Sequence, residues 1–209
     1  MTRQHPDKRV RRTTKDLHGA LLHLMESKKF DKITVTDIVR EAGYNRGTFY
    51  AYYKTKEELL EEMIAEVFEE MTEAYRKPYK NQSEIDLAAM KPESIVLFDH
   101  FLEYRKFYKL MLEADGPVNF HGLLTEKLDF LFRTDFDIFY MAIDPEIDAH
   151  LFSTYRTTGV IGMVLSWMKD GCRETPAYMS NQLLHVLQFH APVIRVRRQE
   201  SPARRKQLK

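Results

Sequence analysis

Hydrophobic positions recur along most of this chain at spacings of three and four, the period of helices with one buried face. In the first segment Val10, Thr14, Leu17, Leu21 and Leu24 fall on one stripe, with Ala20 and Met25 beside it. Thr34-Val-Thr-Asp37 starts a second helix, with Thr34 as N-cap and an acid three residues later. Gly43 breaks that helix after Ala42, and Asn45 caps a short one that reaches Tyr53. Thr55, followed by Glu57 and Glu58, opens a long acidic helix running to about Tyr75–Tyr79. Beyond the loop marked by Pro78, Asn81 and Ser83, helices are predicted at Pro92–Tyr104, Arg105–Glu113, Phe120–Met141, Pro145–Asp170 and Pro176–Val193. No five-residue segment alternates as a strand should, so the expected fold class is all-α.

Composition narrows the class. The 209 residues are 44% hydrophobic and 30% charged, as in a globular protein of one or two domains. The single cysteine, Cys172, excludes an intramolecular disulfide and a cysteine-based zinc site, and fits a reducing compartment. The first residues have no apolar stretch of the signal-peptide kind. The longest uncharged run, Thr175 to Ile194, contains Ser180, Asn181, Gln182, His185, Gln188, His190 and Pro192, too polar for a membrane span. The expectation is a soluble, cytoplasmic protein with no membrane partner.

The net charge of +1 conceals a division. Through Lys56 there are 13 basic and six acidic residues, a net +7, and from Arg195 onward seven basic and one acidic, a net +6. The body between carries −12. A basic head on an acidic body suggests that only the head meets a polyanion.

The stretch from Phe30 to Leu60 carries the most chemistry. Two short helices joined at Gly43-Tyr44 have the form of a helix-turn-helix, with Ile33, Ile38, Val39, Ala42 and Phe49 as its core. The second helix then exposes Arg46, Gly47, Thr48, Tyr50 and Tyr52. Arg46 can reach base edges or phosphate, hydroxyls can bond phosphate oxygens, and Lys54 and Lys56 extend the positive surface. Periodicity and charge alone leave two readings open, a packed helical hairpin with core tyrosines and a duplex-binding surface.

The same stretch resembles the DNA-binding domain of TetR/AcrR-family transcriptional regulators. The resemblance rests on Ile33-Thr-Val-Thr-Asp-Ile38, Ala42-Gly43, Gly47-Thr-Phe-Tyr50, Tyr52-Tyr53 and Lys56-Glu57-Glu58-Leu59, with Tyr53 where the family usually has phenylalanine. It implies base contacts at Thr36, Arg46, Gly47 and Thr48, and phosphate contacts at Thr34, Tyr50, Tyr52 and Lys56. Asn45 and Arg46 lie where the family varies and where operator choice is made. Further along, Glu103–Leu112 and Gly159 through Trp167, Gly171 and Glu174-Thr-Pro176 resemble a C-terminal domain common among Firmicutes members. That resemblance implies a helical sensor and dimerisation domain.

The expected organisation is therefore a three-helix DNA-binding domain over residues 1–56, with 1–8 disordered. An effector-binding and dimerisation domain follows over 57–195, and a basic disordered tail over 196–209. Gly159, Gly162 and Ser166 put small residues on one side of a helix, where each mid-helix glycine costs roughly 1 kcal/mol unless something approaches closely. Met179, Leu183, Leu187, His190 and Ile194 form an uncharged stripe on the last helix. These eight positions resemble the family's four-helix dimer interface. A homodimer suits a pseudo-palindromic operator, whose half-sites lie about 34–36 Å apart.

The body's aromatic residues have two readings, an ordinary core or the lining of a pocket for an apolar or aromatic effector. The candidate lining is Phe98, Phe101, Tyr104, Tyr108, Phe136, Tyr155, Met163 and Trp167, and Arg105 and Arg156 could pair either an anionic effector or acids of the body. The histidines have no metal-ligand spacing, and no nucleophile–base set is present, so no metal, cofactor or enzymatic activity is expected. The functional expectation is a dimeric repressor that binds double-stranded DNA and is released by a small molecule. The alternative is a regulator whose body binds a partner protein as co-activator or adaptor.

Overall fold

The computed structural model describes residues 8–82, 84–86, 89–112, 118–137, 148–190 and 193–196, of which 84, 85, 136, 137, 149, 153, 189, 190 and 193–196 are described by backbone alone. Nine α-helices are described: α1 (Lys8–Met25), α2 (Val35–Ala42), α3 (Arg46–Tyr50), α4 (Lys56–Arg76), α5 (Leu97–Glu103), α6 (Arg105–Leu112), α7 (Phe120–Asp135), α8 (Ala149–Lys169) and α9 (Pro176–His190). Among the described residues no helix is long and apolar enough to cross a membrane. The expected disordered ends, 1–8 and 196–209, lie outside the described residues except at Lys8 and Val196.

The chain forms two compact units, Met1–Glu69 with Lys106–Phe120, and Glu70–Arg105 with His121–Lys209. The first contains α1 to α3, most of α4 and α6. Its core is Leu17, Leu21, Ile38, Phe49 and Leu59, each 0% exposed. Phe68, Phe107 and Tyr108 gather around Phe120 with ring centroids 5.5–5.9 Å apart. An ion pair of 2.5 Å joins Lys106 of α6 to Glu26 just beyond α1.

In the second unit α5, α7, α8 and α9 enclose Phe98, Phe101, Leu128, Val164, Trp167 and Leu184. Phe98 meets Trp167 edge to face at 5.5 Å, a favoured geometry for two rings, and the indole N–H donates to the Glu174 carbonyl at 3.0 Å. Gly171 at φ 78 and Cys172 at φ 54 return their amides to α8, Gly171 to Met168 at 3.0 Å and Cys172 to Trp167 at 2.9 Å. This closes the helix as a left-handed cap does.

The all-α pattern holds, with three differences of detail. The region read as one helix from Pro92 is a 3-10 turn, Pro92–Ser94, followed by α5, because Ile95 is extended and its carbonyl accepts the buried Ser180 hydroxyl at 2.8 Å. The helix read from Pro145 begins at Ala149, where Asp148 caps it by accepting the Leu151 amide at 2.8 Å. Of the helix read through Met141, residues 138–141 lie outside the described residues.

A small antiparallel sheet was not foreseen. Strand β3 (Val193–Val196) lies between β1 (Glu84–Asp86) and β2 (Phe136–Asp137), with Ile85 opposite Ile194 and Phe136 opposite Val196. Pro192 cannot continue α9, and the β-branched residues after it suit a strand. The last helix was expected to reach Val193, and it ends at His190.

Candidate nucleic-acid interface

The helix-turn-helix is built by local hydrogen bonds that its sequence supplies. The Thr34 hydroxyl accepts the Asp37 amide at 3.1 Å, and Asp37 accepts the Thr34 amide at 2.9 Å, a reciprocal capping box that starts α2. Lys28 reaches the same carboxylate at 2.6 Å. Together the ammonium and the two Thr34 donors hold the Asp37 carboxyl well below the usual carboxylate range. Gly43 ends α2 in the left-handed region at φ 73, and the Tyr44 amide donates to Val39 at 2.8 Å. The Tyr44 hydroxyl then donates to Asp16 of α1 at 2.8 Å, tying the turn to the first helix.

Asn45 starts α3 by accepting the Thr48 amide at 2.9 Å and the Thr48 hydroxyl at 3.3 Å. Phe49 fills the core beneath, so the opposite face of α3 is turned outward. That face presents Arg46 and Gly47, both exposed, and Tyr50, which is 50% exposed. Arg46 donates to the Tyr50 hydroxyl at 3.2 Å, with its guanidinium 5.7 Å from the ring centroid. The pair is one preformed cationic and hydroxylic tip. A Cβ on Gly47 would come within 3.2 Å of the Asn45 side-chain oxygen, so glycine leaves the cap undisturbed.

The other expected contact positions divide by surroundings. Thr36 and Lys54 are exposed, and Thr48 and Tyr52 are half-buried. The Lys54 amide donates to Glu58 at 2.6 Å. Lys56 is committed elsewhere: its ammonium donates to the carbonyls of Phe30 at 2.7 Å, Ile33 at 2.8 Å and Asp31 at 3.2 Å, and lies 4.6 Å from the Phe30 ring centroid. All three ammonium donors therefore hold the turn before α2. Thr34 likewise spends its side chain on the cap.

Sequence reasoning did not single out the residues that α1 adds. Arg9, Arg12 and Thr13 form a polar cleft of about 440 Å³ with Tyr44, Thr48, Ala51 and Tyr52. Two guanidinium groups beside the tyrosines and a threonine provide the donors that phosphate oxygens require. The signal was visible as the basic cluster Lys8-Arg9 and Arg11-Arg12, but pairing it with α3 required the fold. Behind this face Tyr53 is buried, donating to Glu62 at 3.1 Å, and burial raises its phenol while it lowers the His18 imidazole beside it.

The positions proposed for effector and dimer contacts lie as follows. Phe98, Phe101, Tyr108 and Trp167 are buried in cores, Tyr104 and Met163 are half-buried, and Tyr155 is 60% exposed. The Tyr104 hydroxyl donates to Glu70. Phe136 lies in β2, and its side chain is outside the described residues. None of these eight lines the apolar cavity of the second unit, about 100 Å³, walled by residues including Tyr75, Leu128, Phe132, Arg156, Thr157 and Leu187. Arg105 is exposed and Arg156 buried.

Gly159, Gly162 and Ser166 lie on one exposed face of α8, in line with Leu151 and Tyr155, and a Cβ on either glycine would meet nothing within 4 Å. On α9, Met179 and Leu183 are buried within the unit and Leu187 lines the cavity, while Tyr178 and Val186 are exposed. The side chains of His190 and Ile194 are outside the described residues. Among the described residues no group of His, Cys, Asp or Glu could hold a metal ion.

Comparison with known proteins agrees with this geometry. Residues 19–63 match the family described as bacterial regulatory proteins, tetR family, and residues 89–189 match the family described as transcriptional regulator C-terminal region. An uncharacterized HTH-type transcriptional regulator of Bacillus subtilis, YxbF, is 27% identical over 188 residues, 87% of this chain and 46% of that protein. The transcriptional activator of the dhaKLM operon from Lactococcus lactis, DhaS, is 29% identical over 125 residues, 60% of this chain and 62% of that protein. The aligned region thus spans about half to three-fifths of those relatives' length. A solved TetR transcriptional regulator from Streptococcus agalactiae shares the fold at a TM-score of 0.58 and 20% identity, over 87% of this chain and 96% of that one.

Proposed function

This chain belongs to the TetR family of bacterial regulatory proteins, and from that premise we propose that it is a dimeric, sequence-specific DNA-binding repressor released by a small molecule. The observation that carries the DNA-binding half is the tip of α3. Arg46 and Tyr50 face outward from a helix fixed at its start by Asn45 and from beneath by Phe49, with Arg9 and Arg12 alongside. Arginine reads base edges, and the surrounding hydroxyls and cations set the register on phosphates. Thr36, Gly47, Thr48, Tyr52 and Lys54 complete the face. Thr34, Asn45 and Lys56 serve it by holding its frame.

Dimerisation is assigned to the exposed stripe of α8, Leu151, Tyr155, Gly159, Gly162 and Ser166, together with Tyr178 and Val186 of α9. Two large apolar residues at 66% and 60% exposure beside two uncovered glycines are what a close helix–helix contact between copies needs. The effector site is assigned to the cavity of the second unit. A body without a cavity would favour the partner-protein reading, and the apolar cavity with a buried arginine in its wall supports a sensor.

The test is an electrophoretic shift on the promoter beside the protein's own gene. Specific binding is expected to weaken steeply with salt, as counterion release requires, and to fall in Arg46→Ala. Binding that is indifferent to Arg46 would overturn the role given to α3.

A further inference from the structure

The wall of the cavity in the second unit is almost wholly apolar, and two polar groups break it. Arg156 of α8 is 5% exposed, with its guanidinium carbon 5.3 Å from the Phe132 ring centroid and 5.6 Å from that of Phe152. Next to it Thr157, also 5% exposed, has a hydroxyl that meets no hydrogen-bond partner among the described residues. Desolvating a guanidinium is costly, and stacking on two rings offsets only part of that cost. The unit's own buried carboxylate, Asp135, is already engaged. It accepts two bonds from Arg76, at 2.6 and 3.0 Å, and a third at 3.2 Å from Tyr79, itself in the cavity wall.

We propose that this cavity binds a small organic acid, whose carboxylate bonds to Arg156 and Thr157 and whose apolar body fills the space between Tyr75, Leu128, Phe132 and Leu187. Charge argues for an anion: two guanidinium groups stand against one buried carboxylate in this part of the unit. The single hydroxyl beside a single guanidinium suits one carboxylate, which a planar guanidinium grips by two parallel bonds. Size limits the body. The cavity is about 100 Å³, and apolar cavities of about 150 Å³ hold a benzene-sized guest. A single ring or a short branched chain fits, and a long acyl chain does not. The inference rests on the effector reading above for its location, and adds the chemical class.

Benzoate is the probe, titrated calorimetrically into the full chain near neutral pH, with toluene as its uncharged counterpart. The expected result is one benzoate per chain, bound at least about tenfold more tightly than toluene. Arg156→Met keeps the apolar volume and is expected to reverse that preference, Thr157→Val to weaken benzoate alone, and Val160→Phe to abolish both by filling the cavity. Absence of benzoate binding to the unaltered chain overturns the proposal, as does benzoate bound equally well by Arg156→Met. Should that variant fail to fold, unchanged binding in Thr157→Val and Val160→Phe overturns it equally. The titration contains no DNA, so it stands apart from the repressor reading. Benzoate that binds without altering the shift of operator DNA would leave the ligand class standing and remove effector release.

Discussion

Lys56 and Asn45 both fell among the positions expected to touch DNA, and both are turned inward upon the head. The Asn45 cap was legible because it depends on residues three apart. The Lys56 cage was not, because its carbonyl partners at Phe30 and Ile33 lie 26 and 23 positions earlier in the chain. Removing the ammonium leaves three carbonyls to find other donors. Lys56→Met is therefore expected to destabilise the chain by ~1–3 kcal/mol, read as a lower midpoint in thermal unfolding followed by circular dichroism. A midpoint unchanged from the parent, with operator binding lost, would make Lys56 a phosphate contact instead. The effector positions show the same limit. A ring on a helical stripe reads alike whether it fills a core, as Phe98 and Trp167 do, or faces a cavity, as Phe132 does.

Among the elements, the boundaries set by local chemistry were readable and those set by distant contacts were not. Gly43, the Thr34 box and the Asn45 cap mark α2 and α3 within a few residues of themselves. The break before α5 depends on Ser180, 85 positions away, and β3 on partners in two other segments. Gly43 holds a conformation that L side chains rarely adopt, so Gly43→Val is expected to cost roughly 1–2 kcal/mol and to weaken DNA binding with it. Equal urea midpoints for the two proteins would remove the need for glycine in the turn.

Helix α5 carries a different constraint. Burial lowers the His100 imidazole from 6.5 to about 4, so the unfolded chain takes up its proton first as the solution is acidified. Its contribution is neutral above about 6.5 and becomes progressively destabilising as pH falls toward 4. Urea unfolding of the parent is expected to lose stability across that window more steeply than His100→Phe. Parallel slopes would contradict the assignment.

For the whole molecule, the division of charge into a basic head, an acidic body and a basic tail was readable from the sequence and agrees with where the cationic tip lies. The tail stays unassigned. The dimer face depends on what one copy leaves uncovered, which a periodic pattern cannot show: Met179 and Leu183 share the apolar stripe of α9 yet are buried within their own unit. Because a side chain at Gly162 meets nothing in its own chain, Gly162→Leu is expected to fold with an unchanged thermal midpoint and to elute as a monomer in light-scattering chromatography. A leucine variant that remains dimeric would place the interface elsewhere.

The central claim is that α3, held by its cap and core and tipped by Arg46 and Tyr50, reads DNA in pairs. Footprinting of the full chain on the promoter beside its own gene tests this most directly, with Arg46→Ala and Tyr50→Phe run in parallel. The account predicts a protected pseudo-palindrome whose half-sites lie about one helical turn or a whole multiple apart. It also predicts that Arg46→Ala weakens protection by ~1–3 kcal/mol, about tenfold to a hundredfold, with no loss of fold. Protection without two-fold symmetry, or a footprint unchanged by both substitutions, would contradict it.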